Sequence, residues 1–344
     1  MNTFMNIQIV DTLDTPNLES KLGFAGLDSW SEFVRSVYGY NIHRLVAHDS
    51  GLPLGTLALV EIKHPIFGHY LATAPYGSYG GFAYENLAAR DLLLKEAGQL
   101  ANRLGVNYAV VRTMDDASSP PENWIQHPIY YTYLVHLSTT PDEMLKTFSS
   151  SHRNHIRKSQ NKGLSIRFGR MDLLDDAYKG LSMSMHELGS PYHSKAYLRK
   201  MAEYLGENLE FAILYDSKGK ISGSGVFIYQ ADTVSNLHAN ILKDKRSSYA
   251  GEFLYWSVIE RGIAKKMKVF DLGRSLVGSG NEVFKLKWSP RKQQLAYWYW
   301  LAPGHDLPSI NQQNPKFRIV VAIWKKLPAF IVNFFGPYII RGLA

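Results

Sequence analysis

Residues 233–272 read TVSNLHANILKDKRSSYAGEFLYWSVIERGIAKKMKVFDL, and this stretch decides the fold. Its first part, 233–242, has the composition of a strand. A basic turn, Lys243 to Ser248, follows. Phe253, Trp256, Ile259, Ile263 and Met267 then recur at helical spacing and predict a helix from about Ala250 to Lys266. A strand at 268–272 closes an α/β unit.

Working upstream, 209–215 and 221–229 read as strands joined by the turn Asp216-Ser217-Lys218-Gly219. The same order occurs earlier. Strands are predicted at 42–48 and 54–62, then a Gly/Tyr/Pro loop at 74–84, a helix at 86–104 ended by Gly105, and a strand at 106–112. The two passages even end alike, in VVRT (110–113) and LGRS (272–275). The expected architecture is α/β (α+β), one unit used twice with mixed central sheets flanked by helices. The expected division is 1–137, 138–306 and a C-terminal extension, 307–344. Thr140-Pro141-Asp142-Glu143 starts a helix expected to run over 141–162, to a C-cap at Gly163.

The chain has 344 residues, 45% hydrophobic, so a sizeable core is available. It contains no cysteine, which removes disulfide scaffolds, thiolate nucleophiles and Cys-based metal sites. The opening residues show neither a basic n-region nor an apolar h-region, so the expected compartment is the cytoplasm. Net charge is +8 but uneven: residues 1–137 carry 8 basic and 13 acidic side chains, whereas 138–344 carry 30 and 17. No acid follows Asp306. Such asymmetry points to a polyanionic partner for the second half, or to a solvated basic surface.

No P-loop, GxGxxG after a strand, GxSxG or HExxH is present. His152 and His155 lie close in sequence, but with no acid nearby no metal site is expected. Two stretches carry the candidate chemistry. Arg246, Ser247, Ser248 and Gly251 lead into the helix at 250, whose N-terminus suits a phosphate; the alternative is a basic loop with a serine cap. In FDLGRSLVGSGNEVFKLKW (270–288), Asp271 ends a strand and a glycine-rich stretch carries Arg274, Ser275, Lys285 and Lys287. Strand ends of this kind bind ligands, and the alternative is a solvated loop. His238 shares a strand face with Asn240 and is a candidate general base or a core histidine; Asp271 competes for the role. Arg153 and Arg157 project from one face of the basic helix.

These residues carry a family resemblance. The order in 233–272 resembles the core of the GNAT acyltransferases, whose Arg/Gln-x-x-Gly-x-Gly/Ala loop cradles the pyrophosphate of acyl-CoA. Arg246 and Gly251 match, but Tyr249 stands where the first glycine belongs, which argues against ordinary acetyl-CoA binding. SSSHRNHIRKSQNKGL (149–164), YAGEFLYWSVIERG (249–262) with FDLGRSLVGSGNEVFKLKW (270–288), and LPSINQQNPKFRIVVAIWKKLP (307–328) resemble the FemAB family more closely. The branch they are most similar to is that of the FemAB-related proteins of PEP-CTERM (exosortase) exopolysaccharide systems. The family resembles two GNAT units in tandem and transfers amino acids from aminoacyl-tRNA onto lipid-linked peptidoglycan precursors. The resemblance implies that Asp271, Arg274, Ser275 and Lys285 belong to the site.

The expected function is therefore acyl or aminoacyl transfer, with acyl-CoA or aminoacyl-tRNA as co-substrate and no covalently bound cofactor or metal. The acceptor would be an amine or hydroxyl on an envelope glycan, lipid-linked precursor or peptide. The alternative is an inactive, RNA-binding or scaffolding protein of an envelope assembly complex. Residues 316–326 predict a basic amphipathic helix followed by an apolar tail, so 316–344 is expected either to meet an anionic membrane surface from the cytoplasmic side or to pack internally.

Overall fold

A computed structural model describes residues 5–10, 16–114, 119–308 and 315–343. The chain forms two compact units: residues 1–130 with 294–308 and 341–344, and residues 131–293 with 309–340.

In chain order, the first unit contains β1 (Met5–Val10), α1 (Pro16–Glu19), α2 (Asp28–Tyr38), β2 (Asn41–Asp49), β3 (Leu52–His64), β4 (Gly68–Ala72) and β5 (Phe82–Tyr84). It continues with α3 (Leu87–Leu104), β6 (Tyr108–Thr113) and β7 (Ile125–Gln126). Next come β8 (Tyr130–His136), α4 (Pro141–Lys146), α5 (Ser150–Gln160), β9 (Ser165–Gly169), α6 (Leu174–Leu188), α7 (Lys195–Leu205), β10 (Leu209–Tyr215), β11 (Ile221–Gln230) and β12 (Thr233–Ile241). The chain then runs through α8 (Ala250–Ala264), β13 (Val269–Asp271), β14 (Ser275–Leu276), α9 (Gly280–Leu286), β15 (Arg291–Gln294), β16 (Ala296–Leu301), α10 (Pro315–Trp324) and α11 (Ala329–Ile340).

The two sheets repeat one plan. In the first unit the order is β1-β2-β3-β4-β6-β16-β7, with β5 beside β3. Neighbours are antiparallel except β4 and β6, which run parallel in register Tyr70↔Tyr108 to Ala72↔Val110. In the second the order is β14-β8-β13-β12-β11-β10-β9, with β15 beside β8. There β12 and β13 run parallel, Thr233↔Val269 to Ser235↔Asp271. A parallel pair needs a crossover, and α3 and α8 supply it. Asn86 caps α3 by accepting from the Ala89 N–H at 2.9 Å, and Gly105 ends it at φ +63°. Helix α8 is apolar nearly all round and accordingly buried.

Three features differ from the sequence reading. Strand β16, placed there in the second unit, hydrogen-bonds to β6 of the first sheet. A single helix over 141–162 is instead α4 and α5. Phe148 turns into the core between them (2% exposed), and Ser149 caps α5 by accepting from the His152 N–H. Gly163, at φ +65°, lies beyond the C-cap, which is Asn161. The apolar tail is itself helical, as α11 with Pro337 inside. Residues 309–314 of the 307–344 extension lie outside the described residues. Among the described residues no helix is long and apolar enough to cross a membrane.

Trp298 of β16 is fully buried and joins Leu57, Leu93, Ala97 and Val111 in the core of the first unit. Replacing Trp298 with Ala should cost about 3–5 kcal/mol of unfolding free energy in a urea titration. A loss below about 1 kcal/mol would mean that β16 does not complete this core.

Candidate functional site

The densest polar chemistry of the second unit follows β13. Asp271 is 3% exposed; its Oδ1 accepts from the Thr132 hydroxyl and from the Gly273 N–H at 2.9 Å. Gly273 has φ +75°, a left-handed turn that glycine takes without strain. The turn aims the carbonyls of Gly273 and Arg274 at Lys285, whose Nζ donates to them at 2.7 and 2.9 Å. Lys285 is itself buried, and burial pushes its pKa down to about 8; Arg274 pushes the same way and Asp271 opposes. Arg274 is exposed, while Ser275 is buried with its hydroxyl unpartnered.

Helix α9 is fixed by a reciprocal cap. Ser279 Oγ accepts from the Glu282 N–H, and Glu282 Oε2 accepts from the Gly278 N–H. Glu282 Oε1 takes the Tyr133 hydroxyl at 2.6 Å and Lys292 Nζ at 2.7 Å. These partners, Lys292 first, hold its carboxyl at about 2. Composition and spacing gave no hint of Glu282 and Tyr133; Ser279-x-x-Glu282 is the pattern that could have revealed the cap.

At the start of α8 the expected serine cap is absent. Residues 243–248 form a 3-10 turn, and Ser248 Oγ donates to the Lys245 carbonyl instead. The N-cap is Tyr249, at φ +58°. Its ring stacks on His155 at 5.0 Å, a contact that offsets the cost of the left-handed backbone. The left-handed cap position is thus taken by a tyrosine, a residue that adopts it rarely. Arg246 and Ser247 are exposed. Gly251 has a packing reason of its own: a Cβ there would meet the Phe284 ring at 3.2 Å.

Helix α5 packs on α8. Arg153 donates to the Phe148 carbonyl at 2.6 Å, and Arg157 faces solvent. Lys287 Nζ lies 3.3 Å from Glu252 Oε1. Glu252, from the first turn of α8, also comes within reach of His152 and His155; the three ligand atoms lie within 4.8 Å of one another. The acid that the sequence lacked near these histidines is supplied by α8, which corrects the ground for excluding a metal site.

His238 sits apart from this group. Its ring lies 5.7 Å from Tyr192 and 6.1 Å from His193, which stacks on Tyr197 at 3.7 Å. Asn240, on the same strand face, reaches the Met185 sulfur of α6. Burial lowers His238 to about 4 and holds His193 well below the ordinary imidazole range, so both rings are neutral at pH 7. The structure therefore groups Asp271, Arg274, Ser275 and Lys285 at the end of β13. It places Gly251, Lys287 and Arg153 around α8 and α5, and gives His238 an aromatic setting.

Comparisons with known proteins agree with this architecture. A sequence model of the FemAB family matches residues 125–218. No curated protein sequence matches. A crystal structure of FemX superposes with a TM-score of 0.63 at 11% identity, covering 83% of this chain and 94% of that one. A tandem GNAT protein from the clavulanic acid biosynthesis pathway gives 0.54 at 9% identity, covering 88% and 100%. L-PGS from Bacillus licheniformis gives 0.52 at 14%, covering 80% and 87%. At such identities the likeness establishes the fold: two GNAT-like units in tandem.

The depressed histidine pKa values predict acid sensitivity. His238 titrates at about 4 in the fold and 6.5 in the unfolded chain, so the unfolded chain binds more protons between those values. Its contribution is complete above pH 6.5 and lost as pH falls through 4. His238→Gln should remove about 2–3 kcal/mol of the stability drop between pH 7 and 4, read by denaturant titration at each pH. An unchanged slope would show that His238 does not titrate in this way.

Proposed function

We propose that the chain is an acyl- or aminoacyltransferase of cell-envelope or exopolysaccharide synthesis. It would take the acyl group from acyl-CoA or aminoacyl-tRNA and deliver it to an amine or hydroxyl of a glycan, lipid-linked precursor or peptide. The observation that carries this reading is Lys285: a buried amine at the carboxyl end of a parallel strand pair, shifted towards neutrality and held by two backbone carbonyls. The FemAB match and the tandem GNAT fold support it.

In this reading the acceptor attacks the carbonyl carbon of the bound ester or thioester directly. A tetrahedral oxyanion forms, the C–O or C–S bond breaks, and the proton given up by the attacking amine or hydroxyl ends on the leaving oxygen or sulfur; no enzyme nucleophile is needed, in keeping with a chain that lacks cysteine. A protonated lysine has three N–H donors. Two serve the Gly273 and Arg274 carbonyls, and the third is assigned to the oxyanion or the leaving atom. Asp271 is assigned the positioning of the Gly273 turn rather than proton abstraction, since Oδ1 already accepts two hydrogen bonds. His238, at about 4, is a weak base and is kept as the secondary candidate. Arg274 and Lys287, with Arg246, Ser247, Ser248, Gly251, Ser275, Arg153 and Arg157 around them, are assigned to the phosphate or RNA end of the donor or to an acceptor phosphate.

The C-terminal helices supply the second part. Helix α11 packs through Val332 and Gly336, and Trp324 anchors α10. Ile319, Val320, Ile323, Phe330, Phe334, Phe335 and Tyr338 are each more than half exposed, beside exposed Lys325 and Lys326. An exposed apolar face beside lysines suits the interface of an anionic membrane. It would hold the enzyme on the cytoplasmic side beside a lipid-linked acceptor.

Lys285→Met and Arg274→Ala should each abolish transfer with the circular dichroism spectrum unchanged; full activity in either variant rejects the assignment. Thermal-shift comparison of acetyl-CoA, longer acyl-CoAs and charged tRNA identifies the donor class by which one stabilises the fold. If the charged form of Lys285 acts, transfer falls as pH rises through about 8, and Lys285→Arg loses that limb. In flotation assays the protein should rise with vesicles containing anionic lipid and not with neutral ones. Phe330→Ser with Phe334→Ser should leave it at the bottom, and equal flotation of both forms would reject the membrane role.

A further inference from the structure

His152 is 2% exposed, yet neither ring nitrogen has a hydrogen-bond partner. Buried polar atoms are almost always paired, so an orphaned imidazole asks what it binds. Its ring is set by aromatic walls, edge-on to Trp288 at 4.5 Å and to Phe148 at 5.5 Å. One helical turn on, His155 Nδ1 is also buried and unpartnered. Positions 152 and 155 share a face of α5, and that face meets the first turn of α8, where Glu252 is 6% exposed. Glu252 Oε1 lies near Lys287, which leaves Oε2 as a ligand atom.

We propose that His152, His155 and Glu252 form a binding site for a divalent transition cation of zinc type, with water in the fourth position. Two imidazoles and a carboxylate are a recognised zinc donor set with an open position. Tetrahedral bonds of about 2.0–2.1 Å place ligand atoms about 3.3 Å apart. The three groups lie within 4.8 Å, so small side-chain rotations close the set. Burial keeps His152 neutral at pH 7, the form in which an imidazole ligates. Of the neighbouring cations, Arg153 is turned to the Phe148 carbonyl, Arg157 and Lys158 face solvent, and Lys287 lies 3.3 Å from Glu252 Oε1, the oxygen not assigned to the metal. The bound ion would pin α5 to α8 beside Tyr249, which stacks on the same His155.

The test uses the full chain after EDTA treatment and dialysis. Zinc titrated calorimetrically should bind one equivalent and raise Tm, and cobalt substituted for it should give the intense visible absorption of a four-coordinate site. His155→Ala and Glu252→Gln leave the aromatic walls in place. Each should keep the parent's circular dichroism spectrum in the metal-free form, while losing at least tenfold in zinc affinity, the cobalt band and the zinc-dependent rise in Tm. No stoichiometric uptake by the parent, or uptake equal in parent and variants, overturns the proposal. Because the readout is metal binding and stability, its failure leaves the transferase reading untouched.

Discussion

Burying the ammonium of Lys285 is the constraint on which the rest of the candidate site depends. A cation removed from water needs oxygen acceptors, and here they are two consecutive backbone carbonyls. Those carbonyls converge because Gly273 turns left-handed and Asp271 holds its N–H. Lys285 reaches them because α9 starts where Ser279 and Glu282 cap it. One carboxylate thus shapes the turn and the other sets the helix, while the amine between them is pushed towards the pH at which proton transfer is easy.

The repeated plan makes the first unit a control for the second. In the sequence echo VVRT of LGRS, the first unit has Arg112, which is buried, donates to the Ala74 carbonyl at 3.3 Å and lies 5.6 Å over the Tyr297 ring. Arg274 is exposed. The echoed arginine is therefore packed within strand β6 in one unit and exposed in the turn after β13 in the other. This asymmetry favours the second unit as the place of chemistry.

Much of the fold was legible because its signals are local. Helices α3 and α8 announce themselves by apolar period and end residues, and the hairpins by their turns. The destination of β16 was not legible, because pairing with β6 is decided by side chains far apart in sequence, such as Trp298 and Val111. The serine cap was misjudged because Tyr249 takes the cap position in a conformation that a stacking partner on another helix makes tolerable. Glu252 meets His152 only through tertiary packing, so a search for nearby acids along the chain missed it. The stretch 270–288 reads as a charged, glycine-rich segment, but that it folds into β14 and α9, and which charges the fold uses on its own backbone, became visible only in three dimensions.

The return of β16 to the first sheet also sets an order of events during synthesis. Residues 131–293 must all leave the ribosome before Ala296–Leu301 can pair with β6. Until then β6 is an open edge beside an incomplete core, the kind of surface that pairs with the wrong strand. The second unit waits in the same way, since β8 (Tyr130–His136) pairs with β13 (Val269–Asp271), which is made only after residues 137–268. Each sheet thus holds an early strand, β6 or β8, whose partner is supplied only near the end of synthesis.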